Sequence, residues 1–316
     1  MSLKFGIQIE PQLGFDYQTI EKIALKAEVL GYTSIWSSDH FFLDLDSESR
    51  NCIEAWTLLA ALASRTTKLR LGTLVTCNSY RHPAILAKIA ASVDHISKGR
   101  LEFGIGAGWK EIEYNAYGIP FPSVKARMDQ LEEAIQIIKR LWVEPKVSFE
   151  GTYFHVKNAF SAPKPIQNSP PIFIGGAGRK RILRMVARYA DYCNFGWFHT
   201  PEKLSDLLDT LKHHCKNENR DYDSVGKSFF ASVMIAESSE ELEQLIHQRA
   251  QMRNMTIEEY QKNISPGVFF GTPEVILQRF QELIDLGFEY FQVMFPYPYD
   301  YEQSIKFSQH IIPKLI

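Results

Sequence analysis

The sequence predicts an α/β protein of the (β/α)8 TIM-barrel class. Short apolar runs alternate with helical patterns about eight times, and this alternation requires parallel strands, of which eight close a barrel. Three helical patterns end at Gly31, Gly99 and Gly287, each leading directly into a strand, and glycine accepts the left-handed conformation that ends a helix. A doubly wound open sheet is the alternative. It is disfavoured because the first strand lacks the glycine-rich turn that normally follows it.

The predicted strands cover residues 3–9, 33–38, 69–75, 101–105, 171–175, 191–195, 228–235 and 289–295. Apolar residues spaced by three or four positions between them predict helices with one face on the sheet. These faces are Ile20, Ile23, Ala27 and Leu30; Ile85, Ile89, Val93 and Ile96; Leu131, Ile135, Ile138 and Trp142; Leu204, Leu207, Leu211 and Cys215; and Ile276, Phe280, Leu283 and Ile284.

Two segments interrupt the alternation within a predicted single domain, 1–316. Residues 144–171 indicate a β-hairpin with strands at 146–149 and 152–154, followed by a proline-rich crossing. Residues 237–267 are polar and helical, with Ser238 and Thr256 as helix N-caps. We expect both insertions at the C-terminal rim of the barrel, where loops commonly determine selectivity.

Composition excludes several classes of function. A formal charge of −2 does not suit a nucleic-acid-binding protein. No apolar run approaches the length of a membrane span, and the strand at residues 3–9 leaves no room for a signal peptide. The cysteines have no metal-ligand spacing, which favours reduced thiols in a cytoplasmic protein. The partner expected is therefore a small-molecule substrate.

Five consecutive predicted strands end in polar or glycine-rich residues. Ligands of parallel barrels bind at the carboxyl ends of the strands, so these segments predict a site at one rim. The rim lacks a cluster of His, Asp and Glu, so a metal-dependent barrel is disfavoured and no metal is expected. The segments are 37–40, 73–78, 104–109, 175–179 and 194–197.

His40 is the predicted catalytic residue, because an imidazole transfers protons near neutral pH. A structural histidine bonded to Asp39 or to the backbone is the alternative. Asp39 either contacts the ligand or orients His40. Glu111 and Glu113 are interpreted as the exposed face of the next short helix.

Glycines after the fourth and fifth strands predict close approach of the backbone to a ligand. Gly106, Ala107 and Gly108 would offer amides, with Trp109 as a cavity wall, although a structural turn is the alternative. After the fifth strand, the free amides of a helix N-terminus bind phosphate well. Basic residues in the first turn of a helix interact unfavourably with the helix dipole unless an anion binds there. The alternative to a phosphate site is a solvated basic turn. The predicted phosphate contacts are Gly175, Gly176, Ala177, Gly178, Arg179 and Lys180.

Taken together and in this order, these segments resemble the bacterial-luciferase-like superfamily and, within it, the coenzyme F420 (deazaflavin)-dependent oxidoreductases. The resemblance covers nearly the whole chain. The segments that carry it are 35–40, 71–76, 97–109, 172–178 and 271–274.

The resemblance implies hydride transfer between coenzyme F420 and a small organic substrate, with His40 beside the reactive face of the cofactor. It also implies a non-proline cis peptide between Leu74 and Val75 behind the ring, with Thr76 and Asn78 bonding along the cofactor. Sugar-phosphate dehydrogenases of the family carry a carboxylate where this chain has Trp109, so we expect neither that substrate nor that proton route.

Two alternatives stay open. One is a monooxygenase that uses reduced FMN and dioxygen on the same scaffold, and the other is a non-catalytic flavin-binding homologue. Members of the superfamily often dimerise, so a homodimer is expected.

Overall fold

The computed structural model describes residues 3–196, 198–252, 254–264, 266–299 and 301–316; Trp197, at the predicted end of the sixth strand, lies outside them. The strands in these ranges are β1 Lys4–Ile9, β2 Ser34–Ser37, β3 Arg70–Thr73, β4 Thr76–Cys77, β5 Leu101–Gly106, β6 Val147–Glu150, β7 His155–Ala159, β8 Ile172–Gly175, β9 Tyr192–Phe195, β10 Gly226–Ile235, β11 Val268–Gly271 and β12 Tyr290–Met294. The helices are α1 Tyr17–Val29, α2 Ala55–Arg65, α3 Pro83–Ile96, α4 Glu111–Ala116, α5 Val124–Val143, α6 Ile182–Tyr189, α7 Pro201–Asn217, α8 Ser239–Met252, α9 Ile257–Lys262, α10 Pro273–Asp285, α11 Tyr301–His310 and α12 Ile312–Leu315.

Eight parallel strands form a closed barrel, which confirms the predicted fold. Their order is β12, β1, β2, β3, β5, β8, β9 and β10, and β10 pairs again with β12. Each of these strands corresponds to one predicted strand. The third ends at Thr73 rather than at residue 75, because a cis peptide joins Leu74 to Val75 and turns the chain before the short strand β4 pairs with β5.

The glycine helix ends are confirmed. Gly31, Gly99 and Gly287 have φ angles of 82°, 83° and 92°, in the left-handed region that an L side chain rarely adopts. Each lies between a helix and the barrel strand that follows it.

The predicted buried faces of α5, α7 and α10 are confirmed, apart from the half-buried Ile284, whereas on α3 only Val93 of the four predicted residues is buried. Ile85 and Ile96 are 59% and 45% exposed, Ile89 is half-buried, and α3 buries Leu86, Ala87, Ala90 and Ala91 beside Val93. Apolar residues occur on more than one face of this helix, so their spacing fits two stripes. The alanine-rich face is the buried one, because its small side chains let α3 pack closely against its neighbours α2 and α5.

Both insertions fold as predicted in outline. The hairpin pairs β6 with β7, but β7 begins at His155 rather than at residue 152. The carboxylate of Glu133 accepts hydrogen bonds from the amides of residues 152–154 and holds them in the turn. Ser238 and Thr256 cap α8 and α9 as expected, and β11, which the sequence did not indicate, pairs with β10. None of the helices in the described ranges is long and apolar enough to span a membrane.

Candidate active site

A cavity of about 480 Å³ opens at the carboxyl ends of the barrel strands, on the predicted rim. Its volume lies in the range of roughly 300–1,000 Å³ that small-molecule and cofactor sites occupy. The segments after β2, β3, β5, β8 and β9 all contribute to its wall. The predicted residues that line it are Asp39, His40, Leu74, Val75, Thr76, Gly106, Ala107, Gly108, Trp109, Gly175, Gly176, Ala177 and Gly178.

His40 is held by Glu113, which the sequence analysis placed on an exposed helix face. Nδ1 of His40 lies 2.9 Å from Oε2 of Glu113, whose side chain is fully buried. The interpretation of Glu113 as exposed is therefore wrong, whereas Glu111 is exposed as expected. Helix α4 has only six residues, too few for apolar spacing to define which side faces inward.

Glu113 is the centre of a buried hydrogen-bond network. Its carboxylate also accepts bonds from the amide of Phe41 and the hydroxyl of Tyr80, both at 2.7 Å. Burial raises the pKa of Glu113, but the bond from His40, the charge of that ring and the bonds from Tyr80 and Phe41 outweigh it and lower the pKa to about 2. The ionised carboxylate therefore fixes His40 with Nδ1 protonated. Nε2 has no hydrogen-bond partner among the described residues, in a ring that lines the cavity.

Asp39 forms an ion pair with Arg81 instead of orienting His40. Nη1 and Nη2 of Arg81 lie 2.7 and 2.9 Å from the two carboxylate oxygens, and the amide of Cys77 donates a third bond at 2.9 Å. Arg81 also pairs with Glu54. Of the two roles considered for Asp39, orientation of His40 is thus wrong. Asp39 remains in the cavity wall, where its partners immobilise it.

The turn after β3 forms one wall of the cavity, and its cis peptide between Leu74 and Val75 confirms the implied geometry. A Cβ on Gly106 would lie 2.8 Å from Val75 Cγ2, so glycine there makes room for the Val75 side chain. Thr76 lines the cavity, but its hydroxyl bonds to that of Thr73 at 2.8 Å. Asn78 is buried outside the lining, and neither of its amide atoms has a partner among the described residues.

The predicted phosphate contacts divide into two groups. Gly175 to Gly178 line the cavity, and the amides of Ala177 and Gly178 donate to no acceptor in the described ranges. Arg179 and Lys180 do not line it. Helix α6 begins at Ile182, after both of these residues, and Arg179 turns away from the cavity because it pairs with Asp206 on α7.

Several further residues line the cavity without having been predicted as site residues. Tyr80 and Lys110 line the cavity on the same side as His40, and Lys110 Nζ donates a hydrogen bond to the Phe42 carbonyl. The opposite side of the cavity is largely apolar. The available signal for His199 was its position in the loop that follows β9. In the described ranges, no group of three or more His, Cys, Asp or Glu side chains is placed to hold a metal ion. The unassigned lining residues include Met128, Ile182, Asn194, Phe198, His199 and Phe230.

A closed barrel of eight parallel strands with a ligand-sized cavity at its C-terminal rim defines a protein of the TIM-barrel class. Residues 2–283 match the family model described as luciferase-like monooxygenase, and the chain belongs to this family. The family predicted from the sequence is thus confirmed.

One relative and two solved structures are similar to nearly the whole chain. An F420-dependent glucose-6-phosphate dehydrogenase of Microbacterium testaceum is 26% identical over 342 residues, covering 99% of this chain and 97% of the relative. The structure of an F420-dependent secondary alcohol dehydrogenase in complex with an F420–acetone adduct has a TM-score of 0.82 at 21% identity, covering 100% of this chain and 98% of that one. The monooxygenase RslO1 of Streptomyces bottropensis has a TM-score of 0.81 at 21% identity, covering 99% and 100%.

Proposed function

We propose that this chain is an oxidoreductase that transfers a hydride between coenzyme F420 and a small organic substrate. The observation that carries the proposal is the placement of His40, oriented by the buried Glu113, in a cavity whose walls are an apolar turn and glycine-rich strand ends. The F420-dependent relative that matches nearly the whole chain supports the deazaflavin as the cofactor.

The residues present fit such a group. Leu74 and Val75 form an apolar wall suited to a flat ring, and Ala177 and Gly178 present unbonded amides suited to an anionic tail. Asp39, held by Arg81, lines the same cavity and would contact the polar edge of a ring bound there. Arg179 would reach the tail only after it leaves Asp206, and Lys180 does not line the cavity, so amides rather than basic side chains provide most of the proposed contact.

The cofactor, when bound, supplies a ring carbon that accepts or donates a hydride. The protein supplies orientation and a proton route. Glu113 keeps the Nδ1 proton of His40 in place, so Nε2 is the atom that exchanges a proton with a bound molecule. The apolar side chains of Leu74, Val75 and Ile182 line the same cavity.

Binding and turnover test the proposal directly. Titration of the purified protein with F420 and with FMN, followed by cofactor fluorescence and by calorimetry, is expected to show micromolar or tighter binding of F420. Loss of the visible absorbance of F420 with a panel of alcohols then reports hydride transfer. His40→Ala is expected to bind F420 and to lose turnover. Absence of F420 binding would refute the proposal.

The monooxygenase alternative is supported by the description of the family model and by the structural similarity to the monooxygenase RslO1. It predicts tight binding of reduced FMN and substrate-dependent uptake of dioxygen, neither of which an F420 dehydrogenase requires. A non-catalytic flavin-binding protein predicts cofactor binding without turnover of any substrate. The two titrations and an oxygen electrode separate the three functions.

We also infer that the protein acts in the cytoplasm as a homodimer. Its four cysteines are free thiols, as is usual in a reducing compartment. The exposed Ile85 and Ile96 on α3 provide apolar surface for a second copy. Sedimentation of the wild type and of Ile85→Glu measures the oligomeric state, and a monomeric wild type would contradict the inference.

A further inference from the structure

The two sides of the cavity differ in chemistry. The side formed after β2 and β3 carries Asp39, His40 and Tyr80, each held by a charged or polar partner. The opposite side is built largely by Ile182, Phe198 and Phe230. On that apolar side, the titratable side chain among the described lining residues is His199.

His199 lies across the barrel from His40. In the closed strand order, three strands separate β2 from β9 in either direction: β3, β5 and β8 one way, and β1, β12 and β10 the other. His40 follows β2 and His199 follows β9, so the two histidines stand at opposite sides of one opening. A molecule held between these two sides of the cavity would contact both imidazole rings.

The ring of His199 is available for proton exchange. It is half-buried, it packs edge-on against Phe195 at 6.4 Å between centroids, and neither ring nitrogen bonds to any described residue. Burial lowers the pKa of His199, and the positive charge of Lys203 lowers it further. The ring is therefore neutral near pH 7 and can accept a proton.

The cavity offers little to an anionic substrate. Lys110 lines the cavity, but its ammonium group donates a hydrogen bond to the carbonyl of Phe42 and pairs with the carboxylate of Glu113. Beside the apolar wall, Arg179 and Lys203 both pair with Asp206. A buried phosphate or carboxylate would lose its hydration without a free cationic partner among these residues.

We propose that the apolar side of this cavity, bounded by Phe198, Phe230 and the indole of Trp109, binds an uncharged, largely apolar substrate with one hydroxyl or carbonyl group, and that His199 exchanges its proton. Trp109 and Phe198 are 72% and 69% exposed at the mouth, so a bound apolar molecule would cover both rings. The proposal rests on the proposed hydride-transfer function and adds the substrate class and a second catalytic histidine.

The step is balanced for an alcohol. The carbinol C–H bond would break, and oxidised F420, when bound, would take up its hydrogen with both electrons as a hydride. The O–H bond breaks, its proton passes to His199, and the oxygen electron pair forms the carbonyl. His199 then releases the proton to solvent. The reverse direction uses the same groups, with protonated His199 as the donor.

The test compares His199→Ala with His155→Ala, which alters a histidine 62% exposed on the hairpin and far in sequence from the site. The substrates are cyclohexanol, 1-phenylethanol and glucose 6-phosphate, each with F420. We expect turnover of the two alcohols, about 100-fold lower kcat/KM in His199→Ala, partial rescue by added imidazole, and unchanged F420 affinity. His155→Ala is expected to match the wild type.

A second measurement needs neither cofactor nor turnover. In cofactor-free protein, 1-phenylethanol is expected to shift the ring resonances of His199 in a histidine NMR spectrum and to leave those of His155 in place. Turnover by His199→Ala equal to the wild type, or turnover of glucose 6-phosphate but of neither alcohol, would overturn this inference while F420 binding persists. Absence of F420 binding would instead overturn the proposed function and, with it, this inference.

Discussion

Nδ1 of His40 donates to the carboxylate of Glu113 at 2.9 Å, across 73 positions of sequence. The bond joins the loop after β2 to α4, the short helix after β5. It determines which nitrogen of His40 is left to act on a bound molecule. Because Glu113 acts through His40, it is a positioning residue, and its contribution can be measured separately from that of the imidazole.

Glu113→Gln should reduce turnover without abolishing the fold. Glutamine keeps the shape but loses the charge that fixes the Nδ1 proton, so we expect kcat/KM to fall by about 10-fold or more. Histidine NMR should show a mixture of His40 tautomers in place of one. Glu111→Gln, on the exposed side of the same helix, is the control and should behave as the wild type. An unchanged tautomer in Glu113→Gln would contradict the positioning role.

The same carboxylate should make stability depend on pH. Folding lowers the pKa of Glu113 from 4.5 to about 2, so the folded state holds this proton less tightly than the unfolded chain. The resulting stability, about 3 kcal/mol, is present above pH 4.5 and is lost as the pH falls toward 2. Urea denaturation between pH 6 and pH 3 should therefore show a steeper loss in the wild type than in Glu113→Gln. Parallel curves would exclude Glu113 as the source.

Arg81→Met should destabilise the protein strongly. It leaves the buried Asp39 without its bidentate partner, and removal of one member of a buried pair costs about 3–5 kcal/mol. Arg65→Met is the control, because Arg65 pairs with Glu21 at the surface, where such pairs contribute about 0–1 kcal/mol. Unfolding free energies from urea titration measure both. Equal losses would mean that burial of the Asp39 pair has no special importance.

Gly108→Ala should cost more than Gly31→Ala. Both glycines have positive φ, 77° and 82°, so alanine at either position pays about 1–2 kcal/mol of backbone strain. A Cβ at Gly31 meets nothing within 4 Å, whereas at Gly108 it would lie 1.9 Å from the Tyr114 hydroxyl and 2.6 Å from Cys77 Sγ. Thermal unfolding measures the difference, and F420 titration should show weaker binding in Gly108→Ala alone. Equal stability of the two variants would show that the loop relaxes freely.

Features whose local sequence pattern has one physical solution were predictable. Glycine at 31, 99 and 287 ends a helix because only glycine takes that backbone conformation without strain. The buried face of α3 and the burial of Glu113 were not predictable, because the apolar pattern there allows more than one packing. The position of Arg179 was not predictable either, because its partner Asp206 lies on a helix that follows later in the chain.

The sequence by itself determined the alternation of strands and helices, and with it the barrel and the rim on which a ligand binds, because side-chain periodicity and glycine conformation are properties of short segments. The tertiary structure alone decided which ionisable groups meet: Glu113 with His40, Arg81 with Asp39, and Asp206 with Arg179. Such pairs form between segments distant along the chain. Their strength depends on burial and on a few ångströms of separation, which exist only after the barrel has closed.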